Sequence, residues 1–173
     1  IISTGEQELY EFILTICPDA TQSDRSILDG KELDILIPSQ KLAIEYCGLY
    51  WHSTAHDRIT RNYHRDKMQR CNDQGYRLIT LFENEWLLNK DLIKLKFRHI
   101  LGANNQRRIY ARNTKIVEIT KPQAREFFQQ YHIQGACKVT THNFALMFDN
   151  RIIAVAAFTK RQNEWYELVR FAT

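Results

Sequence analysis

Asp34 and Glu45 sit inside two short apolar runs, Leu33-Asp34-Ile35-Leu36-Ile37 and Leu42-Ala43-Ile44-Glu45-Tyr46-Cys47, separated by Pro38-Ser39-Gln40-Lys41. Apolar and β-branched residues on either side of so short a connection predict a β-hairpin. If Ile37 pairs with Leu42, the antiparallel register sets Asp34 opposite Glu45, with Cβ atoms roughly 4.5–5.5 Å apart. Two carboxylates that close repel each other unless a positive charge lies between them. A hard divalent cation with oxygen ligands is the natural partner, so the hairpin reads as a metal site. The same spacing also fits two solvated acids on the open face of an antiparallel sheet.

The elements around the hairpin follow from periodicity and punctuation. From Ser3 to Cys17, apolar residues at Leu9, Phe12, Ile13 and Cys17 keep a helical period, with Ser3 or Thr4 able to cap the start. Ser26 to Asp29 reads as a short strand ahead of Gly30, the hairpin supplies two more, and a loop runs from Gly48 to Asp57. A polar helix is expected from about Ile59 to Gln74, with Gly75 suited to its C-terminal cap. Tyr76 to Phe82 is an apolar strand and Trp86 to Leu101 a further amphipathic helix, giving the order α-β-β-β-α-β-α. The stretch 101–112 breaks the periodicity and reads as a connection. Beyond it, Thr120-Lys-Pro-Gln123 is a capping box that opens a helix to about Tyr131. Asn143 to Phe148 and Arg151 to Thr159 form a hairpin around Asp149-Asn150, and Trp165 to Phe171 is a third strand.

The 173 residues are long enough for one sizeable core or for one and a half domains, and 44% hydrophobic with 25% charged residues is ordinary for a folded chain. No run approaches the ~20 apolar residues of a membrane span, and no signal segment opens the chain. Cys17, Cys47, Cys71 and Cys137 are widely spaced, without the pattern of a disulfide framework or a zinc knuckle. The chain opens Ile-Ile without Met and ends on an apparent strand, which reads as a piece of a longer protein. A net charge of +4 permits nucleic acid without demanding it. Its distribution says more. Residues 58–77 carry five Arg, one Lys and one His against two Asp, and a second basic cluster, Arg107-Arg108, is followed by Tyr110 and Arg112. Such runs fit solvated helix faces as well as phosphate contacts.

The element order, with acids on the second and third strands and a basic helix behind them, resembles the PD-(D/E)XK nuclease superfamily. The motifs that carry the resemblance are Gly5-Glu6, Glu32-Leu-Asp34, Ile44-Glu45, Gly48-Leu-Tyr-Trp-His52, Tyr63-His64 with Lys67, and Phe82-Glu-Asn-Glu-Trp86. Taken in order, they are similar to the very-short-patch-repair-like branch and, within it, to the EDxHD group of phage homing endonucleases. The resemblance covers residues 3–101. It implies a nuclease domain over 1–104 with a mixed sheet flanked by helices.

On that resemblance Asp34 is the central metal ligand, Glu45 its partner or a general base, and Glu6 a ligand acting through water. Mg²⁺ needs only one or two carboxylates besides water and phosphate oxygens, so Mg²⁺ is the implied cofactor, with Mn²⁺ able to substitute. The superfamily's E-x-K lysine is replaced by Cys47, which supplies no positive charge. His64 and Lys67 lie three apart on one helix face, and His52 follows the strand directly. His52 and His64 are then the acid–base groups and Lys67 neutralises phosphate charge. Arg61, Arg65, Arg107 and Arg108 are the candidate DNA contacts. His52 and His56 are four apart, but nothing nearby completes a tetrahedral set, so no zinc is expected.

Residues 113–173 read as a small α+β domain resembling the start of an acetyltransferase-like fold. The sequence ends before a phosphate-cradling glycine loop could appear, so acetyl transfer is unsupported and a DNA-positioning or packing role is the better reading. The implied function is a metal-dependent DNA endonuclease, an intron-associated or free-standing homing enzyme acting on double-stranded DNA in the cytoplasm of a phage-infected bacterial cell. Cutting both strands requires two successive nicks or a homodimer. Two other functions stay open: a mismatch-nicking repair endonuclease, and a degenerate DNA-binding module in which Cys47 marks lost chemistry.

Overall fold

The computed structural model describes residues 2–48, 57–105 and 107–173, without the side chains of 57–62 and 163. It divides into two compact units, Ile1–Asn104 and Asn105–Thr173.

The first unit contains α1 (Thr4–Leu14), β1 (Thr21–Leu28), β2 (Lys31–Ile37), β3 (Leu42–Cys47), α2 (Asp57–Asp73), β4 (Arg77–Phe82) and α3 (Glu83–Ile100), in the order expected from the sequence. Strand order is β1-β2-β3-β4; β1–β2 and β2–β3 are antiparallel, and β3–β4 is parallel. The parallel pair is joined through α2, the helical crossover such a pair requires. This is an α/β core with a mixed sheet and flanking helices, the fold class expected from the sequence.

Local chemistry sets each boundary. Ser3 Oγ accepts the Glu6 N–H at 3.2 Å and caps α1. The β2–β3 connection is a short 3₁₀ turn, Pro38–Gln40, closed by Lys41 in the left-handed region. The Asp19 carboxylate anchors that turn by accepting from the Ser39 N–H at 2.8 Å and its hydroxyl at 2.9 Å. α2 ends at Gly75, whose φ of +77° lets the Tyr76 N–H turn back to the Cys71 carbonyl at 2.8 Å. β1 starts five residues earlier than its residue pattern predicts, at Thr21 instead of Ser26. Its polar residues lie at the sheet edge, and the pairing slips between Asp24 and Leu28.

Strand alternation gives the sheet two faces. Leu36 and Ala43 pack with Leu28 and with Cys71 of α2. On the opposite face Tyr46 meets Gly5 of α1, which also lies close to Trp86 of α3. α1 and α3 are tied by Glu8, which accepts from Trp86 Nε1 at 3.2 Å and from Lys90 Nζ at 2.5 Å.

The second unit is an antiparallel sheet in the order β5-β6-β7-β8, from Lys115–Glu118, His142–Phe148, Arg151–Lys160 and Tyr166–Ala172. α4 (Lys121–Tyr131) starts at the expected Thr120–Gln123 capping box and buries Ala124, Phe127 and Phe128 against Ala145, Val155, Ala157 and Ala172. The β6–β7 turn places Asp149 and Asn150 at positive φ, as a two-residue hairpin turn demands. β5 lies inside no element predicted from the sequence, because four mostly exposed residues are too few to show a period.

Candidate active site

The pairs Ile37–Leu42, Leu36–Ala43 and Ile35–Ile44 continue to set Asp34 across from Glu45, the register expected from the sequence. The Tyr46 N–H donates to Asp34 Oδ2 at 2.7 Å and fixes that carboxylate against the neighbouring strand. Asp34 is half-buried, and burial raises its pKa above the usual carboxylate range against the opposing pull of the Tyr46 N–H and Lys67. Glu45 is pushed further, to about 7, by burial first and by Asp34 second. The charge of Asp34 thus works against ionisation of Glu45.

α2 delivers the counter-charge. Lys67 is only 2% exposed, and its Nζ donates to Glu45 Oε1 at 2.5 Å. It points inward because it lies one turn before Cys71, which packs fully buried against the sheet. The neighbouring Asp66 accepts from Lys31 Nζ on β2 at 3.3 Å and from Arg70 Nε at 3.0 Å, so the helix is also laced to the hairpin from outside. His64 is half-buried one turn before Lys67, its ring edge-on to Tyr63 at 5.8 Å.

Glu6 comes from the first turn of α1. Gln22 Nε2 donates to its Oε1 at 3.3 Å, and burial followed by the charge of Asp34 raises its pKa. Glu6, Asp34 and Glu45 therefore share one electrostatic site. Gln22 is not among the residues the sequence singles out; it lies in the polar start of β1, where no pattern marks it.

Cys47 shares a strand face with Glu45, and burial, then Glu45 and Asp34, push its thiol up to about 11. It is a neutral thiol at physiological pH. The positive charge missing from the strand is present in the site all the same, carried by a helix.

His52 and His56 lie outside the described residues, as does the side chain of Arg61. Arg65 is exposed on α2, and Arg107 and Arg108 are exposed in the second unit.

Among the described residues no three His, Cys, Asp and Glu side chains are gathered so as to hold a metal by themselves. Mg²⁺ asks for less, because it keeps several waters and takes one or two carboxylates. Glu45 Oε2 is buried without a hydrogen-bond partner, an acceptor beside a second acid whose charge it opposes. That donor set fits a hard divalent cation.

No family model matches the chain, and neither does any curated protein. Among solved structures it is similar to one described as "Homing Endonuclease I-Bth0305I Catalytic Domain", with a TM-score of 0.46 and 21% identity over 60% of this chain and 99% of that one. A likeness of that degree carries no functional inference. Among the described residues no helix is long and apolar enough to cross a membrane.

Proposed function

We propose that residues 1–104 are the catalytic domain of a metal-dependent endonuclease that hydrolyses phosphodiester bonds in double-stranded DNA. The observation that carries this reading is a buried Lys67 in contact with Glu45, directly beside Asp34. A sheet gains no stability from two acids in mutual repulsion, whereas a site for a polyanionic substrate and its cation uses both acids and the lysine.

Asp34 and Glu45 would hold Mg²⁺ or Mn²⁺, with Glu6 at the periphery of the same field. When bound, the cation neutralises charge on the scissile phosphate and makes water a better nucleophile. Lys67 fixes the Glu45 carboxylate through Oε1, and in this reading its charge also offsets the negative charge that develops on the phosphoryl oxygens. His64, and His52 from the segment before α2, are assigned the proton transfers to and from the attacking and leaving oxygens. Cys47 takes no part as a charge. The ordered motifs extend the reading to a phage homing endonuclease.

The test is incubation of supercoiled plasmid carrying randomised sequence with Mg²⁺ or Mn²⁺, followed by sequencing of all new ends, with Asp34→Ala in parallel. Metal-dependent ends absent from the variant support the assignment, and a variant that still cuts overturns it. Nicks confined to mispaired bases would make this a repair enzyme. Salt-sensitive, metal-independent DNA binding without any ends would make it a binding module.

A further inference from the structure

The +4 charge of the chain is unevenly divided. Residues 1–104 carry 13 Lys and Arg against 15 Asp and Glu, a net −2, whereas residues 105–173 carry 11 against 5, a net +6. The unit with the candidate active site is therefore the acidic one. Apart from the basic run of α2, net attraction for a polyanion is therefore weighted to the second unit.

Within that unit one exposed strap concentrates the charge in an organised form. The Arg107 guanidinium lies over the Phe148 ring, 5.6 Å from its centroid. Those of Arg108 and Arg112 lie 5.3 and 5.0 Å from the centroid of Tyr110, which sits between them in sequence and is half exposed. Contact with a ring restrains a guanidinium without neutralising it or using its N–H donors. Among the described residues the ion pairs of this unit are His142–Glu118 and Arg161–Glu167, so none of these three arginines is paired with a carboxylate. The 3₁₀ turn Ala111–Asn113, closed by the Thr114 N–H and hydroxyl on the Ala111 carbonyl at 3.0 and 2.6 Å, holds the end of the strap.

We propose that residues 107–112 form a phosphate-binding strap for the backbone of duplex DNA, with Arg107, Arg108 and Arg112 as the contacts and Tyr110 as a positioning residue. The proposal rests on the DNA reading above and deepens it by separating affinity from cutting. Forked, unpaired guanidiniums suit phosphate oxygens, and such contacts fix position on the duplex without reading sequence.

The test uses the intact chain with a fluorescent duplex of mixed sequence in EDTA, where no cutting occurs, and follows the binding constant as KCl rises. Each phosphate contact on B-DNA contributes about 0.9 to the slope of log K against log salt. The triple variant Arg107→Gln/Arg108→Gln/Arg112→Gln should lower the slope by about 2 to 3 and weaken binding at least about tenfold near 0.1 M salt. Tyr110→Ala keeps every charge; it should preserve the slope within about 0.5 while weakening binding. Lysine at all three sites should keep the slope and lose affinity. A triple variant that binds with the wild-type slope overturns the strap and leaves the DNA reading standing. A wild-type chain without salt-dependent duplex binding overturns both, and circular dichroism of each exposed-site variant excludes misfolding as the cause.

Discussion

Lys67 Nζ, on a helix, lies 2.5 Å from Glu45 Oε1, on a strand 22 residues earlier, and the lysine is almost completely buried. If its positive charge serves catalysis, Lys67→Met should keep the packing stem and lower cleavage about 10²–10³-fold, the scale for loss of one preorganised electrostatic group. Cys47 and Glu45 share a strand face, so Cys47→Lys in the Lys67→Met background returns a cation to the same acids. Recovery of about tenfold or more is expected in plasmid cleavage. A folded double variant no more active than Lys67→Met would reduce Lys67 to a packing role.

Glu45 predicts a pH dependence of stability in metal-free buffer. Its pKa is raised from 4.5 to about 7 in the fold, so between those values the folded chain holds a proton that the unfolded chain releases. Stability from this group is full below pH 4.5 and falls as pH rises through 7, by about 3 kcal/mol. Glu6 and Asp34, also raised, act in the same sense, whereas the lowered pKa values of Glu8, Asp19, Glu32 and Asp66 act in the opposite sense at more acid pH. Urea denaturation of wild type and Glu45→Gln isolates the term: the difference should move in favour of the variant from about pH 5 to 8. A constant difference would remove Glu45 as its source.

Metal binding should run against that loss. A cation at Asp34 and Glu45 displaces the Glu45 proton near neutrality, so affinity for Mg²⁺ or Mn²⁺ rises from about pH 6 to 8. Millimolar metal should raise the melting temperature of the wild type more at the higher pH. Asp34→Asn relieves the repulsion and keeps an oxygen for the Tyr46 N–H. It should be more stable than wild type without metal, show no metal-induced shift and not cut. Equal shifts for the two proteins in a calorimetric scan would place the cation elsewhere.

Gly5 is held to glycine by contact, not by backbone conformation. A Cβ there would collide with Tyr46 Oη and stand 2.8 Å from Tyr46 Cζ, and Tyr46 is itself buried. Alanine is the better helix former by about 1 kcal/mol. Gly5→Ala should nevertheless destabilise the fold by about 1–3 kcal/mol, because α1 must move off the sheet. Since Glu6 is the next residue, cleavage should fall as well. A more stable Gly5→Ala protein in chemical denaturation would show that the α1–β3 approach is looser than the distances indicate.

The hairpin register is legible in the residues alone because Pro38-Ser39-Gln40-Lys41 pins the turn and the apolar pattern leaves one alignment that buries both strands. α4 is equally plain from its capping box, and the β6–β7 turn from Asp149-Asn150. Lys67, by contrast, stands out from the sequence only as support for the histidines. Periodicity shows where apolar residues recur, not which polar residue turns inward, and α2 offers Cys71 as almost its sole apolar marker on that face. Residues 21–25 hide a strand for a related reason: an edge strand with exposed positions has the composition of a loop.

The site is assembled from α1, β2, β3 and α2, and its cation is the last of these groups to be synthesised. A chain that has emerged only through Cys47 already carries Glu6, Asp34 and Glu45, whereas its Arg25 and Lys31 pair with other acids, Glu32 and Asp66, in the finished fold. In the folded unit Lys67 reaches Glu45 from α2, the crossover that joins β3 to its parallel partner β4. The candidate site is thus discontinuous in the order of synthesis: the acids come first, and the lysine that meets Glu45 is made 22 residues later.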